Sequence, residues 1–267
     1  MKQYRVKSGD KFKLSDRDPS DCKECPGGKE EGKQRTLKIN AELEDLQELM
    51  YAEHKHKLLV VFQAMDTGGK DGVIRSVFDG VNPTGVHVAS FKAPSATELD
   101  HDYMWRIHQR TPSRGEIVIF NRSHYEDVVV VRIHNLVPKD TWQKRFRHIR
   151  EFERMLCDEG VTILKFFLHI DKDEQKERLH ARLDDPAKHW KFNVGDIKER
   201  AHWDEYMTAY EEAIAETSTD EAPWYIVPAN KKWYRDLVVG TVLVDKLKSL
   251  KMSYPANTED LSKVEIP

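Results

Sequence analysis

The sequence predicts an α/β fold, a parallel sheet with helices on both faces. Three observations carry this. Short runs rich in β-branched and aromatic residues recur at Leu58–Phe62, Val86–Phe91, Glu116–Phe120, Val161–Ile170 and Trp224–Val227. Stretches whose apolar residues recur at helical spacing separate them. The first run ends in a glycine-rich turn, Ala64-Met65-Asp66-Thr67-Gly68-Gly69-Lys70-Asp71-Gly72, and an amphipathic stretch, Val73 to Asp79, follows it.

In chain order, residues 1–36 are polar, carry Pro19, Pro26, Gly27 and Gly28, and show no sustained period. They read as an extended or partly disordered leader that wraps the domain. Leu37 to Lys57 reads as a helix on the sheet, since Leu43, Leu46 and Met50 recur at helical spacing. The first strand, the glycine turn and its helix come next. Asn82-Pro83-Thr84-Gly85 is a turn before the second strand. A helix is expected from Ser95 to Gln109, and Pro112 to Gly115 turns the chain into the third strand. That strand ends in a polar loop, Asn121-Arg122-Ser123-His124-Tyr125-Glu126-Asp127. Helices are expected at 141–157, 172–183, 206–216 and 232–250. A charged segment, 184–203, interrupts the pattern. The domain is expected over 37–252, with a polar tail, 253–267. Ligands of such sheets sit beyond the carboxyl ends of the strands. The loops at 64–70, 121–127, 171–203 and 228–232 all follow strands, so all four are expected to face one crevice.

The bulk numbers exclude more than they identify. The chain has 267 residues and a net charge of −3, with 33% of residues charged. That length fits one large domain, with or without an inserted lid. A surface of mixed sign gives no case for nucleic-acid or membrane partners. The first seven residues contain no apolar h-region, and no apolar run approaches a membrane span, so the expected location is cytoplasmic. There are three cysteines, with Cys22 and Cys25 in a C-x-x-C. They could form half a zinc site, but no second half follows, and reduced thiols are the plainer reading.

The chemistry is concentrated in three places. Glycines after a strand let backbone N–H groups face one anion, and a lysine at the helix start reaches phosphoryl oxygens. The usual pattern is G-x-x-x-x-G-K-[ST]. Gly69 and Lys70 fit it, whereas Ala64 replaces the first glycine and Asp71 the hydroxyl that ligates magnesium. Asp66 is therefore the nearest metal candidate; the alternative is an ordinary strand-to-helix turn. In the second place, Asp127 could share a magnesium with Asp66, because magnesium takes one or two carboxylates plus phosphate oxygens. Arg122 offers a fork for phosphate. Glu126 is either another carboxylate near the metal or a partner of Arg132; the plain alternative is a loop whose charges pair among themselves. In the third place, Arg178 and Arg182 lie four apart on one helix face, and Lys188 and Lys191 extend the cationic set. A basic helix beside a phosphate loop suits a lid closing on a polyanion; interleaved acids also allow a merely solvated helix. His124 has no Ser or Cys partner arrangement, so no nucleophile triad is expected.

With these residues in place, the sequence resembles polyphosphate kinase family 2, whose P-loop kinase fold is like that of thymidylate kinase. The carrying motifs are Ala64 to Gly72, Phe120 to Asp127, the stretch Arg178 to Lys191, Ala222-Pro223-Trp224-Tyr225, and Pro228 to Trp233. The match covers about Leu37 to Leu250, and the leader lies outside it. The resemblance implies a three-layer fold with a helical lid at about 178–205. It implies reversible phosphoryl transfer between inorganic polyphosphate and AMP, ADP or ATP, with other bases open. Magnesium is the implied metal, with manganese as a substitute, held by Asp66 and Asp127. Polyphosphate is assigned to Gly68, Gly69, Lys70, Arg178, Arg182, Lys188 and Lys191, and the nucleotide to Arg122, Glu126 and Arg132. Asp66, Lys70, Arg122 and Asp127 form the catalytic set. Glu126 in the loop resembles the subclass that accepts both mono- and diphosphates, and relatives of this kind are commonly homo-oligomers. Two other functions compete: an ATP-dependent nucleoside monophosphate kinase, and a non-catalytic nucleotide sensor.

Overall fold

The computed structural model describes residues 1–257, 264 and 266. Strands β1 (Lys57–Gln63), β2 (Val86–Ser90), β3 (Ile117–Asn121), β4 (Val161–His169) and β5 (Trp224–Pro228) form one sheet in the order β2-β3-β1-β4-β5. Every pairing between them is parallel. Leu58 to Phe62 on the central strand are fully buried, as a continuous apolar run covered on both faces requires. From β1 the chain moves outward to β2, returns through β3, and then crosses to β4 and β5. The reversal beside β1 makes its carboxyl end a switch point, where diverging loops leave a crevice. Phe62 pairs with Asn121 and Gln63 with Phe167, so β1, β3 and β4 end at nearly the same level.

The helices among the described residues are α1 (Gly28–Glu53), α2 (Lys70–Val77), α3 (Ala96–Leu99), α4 (Trp105–His108), α5 (Val130–Ile133), α6 (Lys139–Asp158), α7 (Lys172–Leu183), α8 (Val194–Ala201), α9 (Trp203–Thr217) and α10 (Lys232–Ser249). α1, α2 and α10 pack together, and α5, α6 and α9 form a second group. With the sheet between them, the three-layer α/β fold expected from the sequence is what the chain adopts.

The differences have local causes. α1 begins at Gly28 rather than Leu37. Its inward face is Gly32, Thr36, Asn40, Leu43, Gln47 and Met50, so the first turns bury small and polar residues that give no apolar stripe. Gly32 is required there, since a Cβ would lie 2.2 Å from the Trp233 ring. The residues before α1 are ordered and partly buried. Tyr4, Val6 and Leu14 join the core, the Val6 amide donates to the Trp224 carbonyl at 2.8 Å, and Arg5 makes an antiparallel bridge to Tyr225 on the edge strand β5. The helix expected over 95–109 is two short ones. Ser95 and Glu98 cap the first in a capping box, and the Asp102 carboxylate accepts from the Met104 amide just before the second. The segment 184–203 contains a 3₁₀ turn, Pro186–Lys191, and then α8. Of the expected tail, 258–263, 265 and 267 lie outside the described residues. No described helix is long and apolar enough to cross a membrane.

Candidate active site

Two glycines shape the loop that follows β1. Gly69 caps α2 with φ +100°, a left-handed conformation that side chains oppose. A Cβ on Gly68 would lie 2.5 Å from Ala64 Cβ and 2.8 Å from the Met65 carbonyl oxygen. Lys70, the first residue of α2, donates from Nζ to the Ala64 carbonyl at 3.0 Å. Its ammonium pKa is lowered, by burial first and then by the Arg122 charge. An ammonium has three protons to donate, so two remain for phosphoryl oxygens.

Beside this loop, Arg122 leaves the end of β3 with φ +61°, again left-handed. Such a conformation costs a non-glycine residue roughly 1–2 kcal/mol. It accompanies a guanidinium that donates to Asp66 Oδ1 at 3.0 Å and lies 3.7 Å from Glu126 Oε2. Burial raises the Glu126 carboxyl pKa, against the opposing charges of Arg122 and Lys70. Asp66, Arg122 and Glu126 line a cavity of about 240 Å³, together with Tyr206 and Tyr210 of α9 and Asn193, Asp196 and Glu199 around α8. The strand-end loops, α8 and α9 therefore share one chamber.

Asp127 faces another way. Its Oδ1 and its carbonyl accept from Arg145 at 3.2 and 2.9 Å, and it does not line that cavity. Its Oδ2 is buried without a hydrogen-bond partner, and burial raises its pKa. Arg132 is not brought to the chamber. Val130 and His134, four apart around α5, line it, while Arg132 turns outward to pair with Glu212 and to sit 4.7 Å from the Trp142 ring centre. Of the two roles open to Glu126, partnership with Arg132 is not found; Glu126 lies by Arg122 instead.

The four cations between 178 and 191 divide. Arg178 is buried and anchored: Nε donates to Glu174 at 2.6 Å, Nη1 to the Thr67 carbonyl at 3.0 Å, and Nη2 to the Ala229 and Asn230 carbonyls at 2.6 and 3.1 Å. It fastens the phosphate loop to the loop after β5. Arg182 donates to the Lys191 carbonyl at 3.1 Å and to Asp196 at 3.2 Å, tying α7 to the 3₁₀ turn that precedes α8 and to the first turn of α8. Lys188 pairs with Asp185, and Lys191 lies over the exposed Trp190 ring; neither contacts the phosphate loop.

Several residues of the site escaped the sequence reading. Arg235, in the first turn of α10, donates to the Gly69 carbonyl at 3.2 Å, and a Cβ on Gly69 would lie 2.2 Å from its Nη1. Gln175 donates to the Asp66 carbonyl at 3.0 Å. Both stand just after strand-end loops, the one signal that could have flagged them. His124 and Tyr125 are buried supports. Both contact Glu153, which takes Lys165 Nζ at 2.5 Å. The network pins the start of the Glu126–Asp127 loop to the core.

Paired carboxylates with open coordination, completed by phosphate oxygens and water, suit magnesium. Asp66 and Glu126 in the chamber fit such an ion, whereas the unpartnered Asp127 oxygen lies outside that chamber. Among the described residues no three His, Cys, Asp or Glu side chains converge into an all-protein cage.

A glycine loop at the switch point of a 2-3-1-4-5 parallel sheet, with a lysine at its helix start and a strand-end arginine beside it, defines a P-loop-type phosphotransferase. The family model for polyphosphate kinase 2 matches residues 27–255, and the chain belongs to that family. It is 61% identical over 255 residues to the AMP/ADP-polyphosphate phosphotransferase of Meiothermus ruber, covering 96% of each chain. It is 47% identical to the ADP-polyphosphate phosphotransferase of Rhodopseudomonas palustris, covering 96% of this chain and 93% of that one. The crystal structure of polyphosphate kinase 2 from Arthrobacter aurescens TC1 superposes with a TM-score of 0.92 at 43% identity, over 97% of this chain and 93% of that one.

Proposed function

We propose that this protein transfers phosphoryl groups reversibly between inorganic polyphosphate and AMP or ADP, forming ADP or ATP. The carrying observation is the single chamber in which Asp66, Arg122 and Glu126 meet beside Lys70 and beneath α8 and α9. Phosphoryl transfer needs positioning and charge neutralisation more than a protein nucleophile. Gly68 and Gly69 admit the donor phosphate to the backbone. Lys70 turns its free protons to that phosphate. Arg122, aimed by its pairing with Asp66, bridges the glycine loop and the acceptor side. Arg178 holds the loop in shape, and Arg182 holds the lid segment over it. The tyrosines of α9 narrow the chamber and exclude water from the transferring group. A divalent cation, magnesium in this reading, would be held by Asp66 with Glu126, and would neutralise charge on the phosphate oxygens.

The family and the similarity to the M. ruber enzyme support polyphosphate as donor and both nucleotides as acceptors. The test is to mix the protein with polyphosphate, magnesium and either AMP or ADP, and to follow the nucleotides. AMP should convert through ADP to ATP. A protein that uses ATP but not polyphosphate as donor would be a nucleoside monophosphate kinase instead, and one without turnover a sensor.

A further inference from the structure

The C-x-x-C before α1 takes no part in the chamber, yet it is connected to it. Cys22 and Cys25 are free thiols. They close a turn in which the Cys25 amide donates to the Cys22 carbonyl at 3.1 Å. Such a turn holds its end Cα atoms within about 7 Å, and disulfides span roughly 4.4–6.8 Å. Cys22 is half-buried, and its Sγ accepts from Lys231 Nζ at 3.0 Å. Cys25 is buried, its thiol donating to the Gly28 carbonyl at 3.5 Å.

The residues just before this turn grip the loop after β5. Lys231 Nζ donates to the Ser20 carbonyl at 2.9 Å, the Asn230 side chain to Ser20 Oγ at 2.8 Å, and the Asn230 amide to the Pro19 carbonyl at 3.1 Å. On its other side, that loop offers the Ala229 and Asn230 carbonyls to Arg178, which holds the Thr67 carbonyl of the phosphate loop. A continuous set of contacts therefore runs from Cys22 to the donor site.

We propose that Cys22 and Cys25 are an oxidation site, bridged by a hydroperoxide, and that bridging loosens the clamp on the phosphate loop. In the first step the Cys22 thiolate attacks a peroxide oxygen. The O–O bond breaks, an S–O bond forms, and water or an alcohol leaves, giving a sulfenic acid. In the second step the Cys25 thiolate attacks that sulfur. The S–O bond breaks, the S–S bond forms, and a water leaves. With hydrogen peroxide, two thiols and one peroxide give one disulfide and two waters; the thiol pair loses two electrons and the peroxide gains them. Bridging draws the Cys25 sulfur out of its buried place and removes the thiol against which Lys231 rests. The bonds from Ser20 to Lys231 and Asn230 loosen as a result. Cys157, the third thiol, is a poor competitor, since burial pushes its pKa up to about 11.

The effect on activity rests on the function proposed above. The full-length protein is treated with hydrogen peroxide, quenched with catalase, and divided between intact-mass analysis with peptide mapping and an assay of polyphosphate-dependent ATP formation. The expected result is loss of two hydrogens mapped to the 22–25 peptide. A severalfold fall in activity should accompany it and reverse with a phosphine reductant. Cys22→Ser should resist peroxide, Cys25→Ser should gain one oxygen at Cys22 without a bridge and keep its activity, and Cys157→Ser should respond as wild type. No bridge, a bridge through Cys157, a bridge with unchanged activity, or an equal loss in Cys22→Ser would each overturn the proposal. Inactivity before any peroxide would count against the functional reading, while the mass result still decides the bridge.

Discussion

Glu126 meets two opposed demands. Burial penalises its negative charge, and the cations Arg122 and Lys70 favour it. A site keeps such a carboxylate where a charge is needed in the reaction. A monophosphate acceptor attacks with its α-phosphate oxygen, one phosphoryl unit short of the β-phosphate oxygen of a diphosphate. A hydrated magnesium held by Glu126 could fill that gap, since magnesium keeps several waters. Glu126→Asn is therefore expected to lower AMP phosphorylation about tenfold more than ADP phosphorylation, roughly 1.4 kcal/mol of transition-state stabilisation. The measurement is kcat/KM for both acceptors on both proteins. An equal loss would reduce Glu126 to general electrostatics, and a wild type inert towards AMP would remove the dual-acceptor reading while leaving the kinase.

Between α7 and its neighbours, two arginines that share a helix face do different work. Arg178 satisfies three backbone carbonyls, those of Thr67, Ala229 and Asn230. A buried acceptor left without a partner costs about 1–3 kcal/mol. Arg178→Ala should thus lower stability by a few kcal/mol, on the order of two such losses, and weaken polyphosphate use through a slack phosphate loop. Arg182 is more exposed and makes one ion pair and one carbonyl contact. Arg182→Ala should leave the melting temperature within a few degrees and raise the apparent KM for polyphosphate more than that for nucleotide. Thermal melts and donor titrations decide between them; similar melts for both would refute the anchoring role. At this scale the sequence was readable where periodicity or a loop motif was strong. The strand-end loops and the glycine turn could be placed from the chain alone, whereas the pairing of Arg122 with Asp66 and Glu126 could not. The first turns of α1 could not, because Gly32, Thr36 and Asn40 carry no apolar signal. Nor could the directions of Arg132 and Asp127, since neighbours in sequence on a short helical turn point to different sides. Which acceptor a long guanidinium reaches, as with Arg235 over Gly69, depends on packing between elements far apart in the chain.

Across the whole molecule, site and core share one buried polar network. Lys165, on the central part of β4, donates to Glu153 of α6 at 2.5 Å, to Tyr125 at 3.0 Å and to the Thr217 carbonyl at the end of α9 at 2.8 Å. His124 contacts the same carboxylate at 3.2 Å. The network thus joins three elements to the two residues that precede Glu126. Burial alone would raise the Glu153 pKa, but Lys165 and His124 hold it below the ordinary value of 4.5. The sign of the stability effect follows. The unfolded chain takes up this proton first on acidification, so the stabilisation is complete above about pH 4.5 and is lost as pH falls through the lower folded value. Breaking a buried pair by removing one charge costs about 3–5 kcal/mol. Glu153→Gln should therefore be destabilised by about that amount at pH 7, and its deficit relative to wild type should shrink as pH falls below 4.5. Urea midpoints for both proteins from neutral to acid pH measure the gap. A gap that stays constant would show that packing, not charge, holds the network. Glu153→Leu combined with Lys165→Met tests the same point from the other side. With both charges gone no uncompensated ion remains, and most of the lost stability should return. Turnover should return less fully than stability, because His124 and Tyr125 then lack the carboxylate that fixes the start of the Glu126 loop.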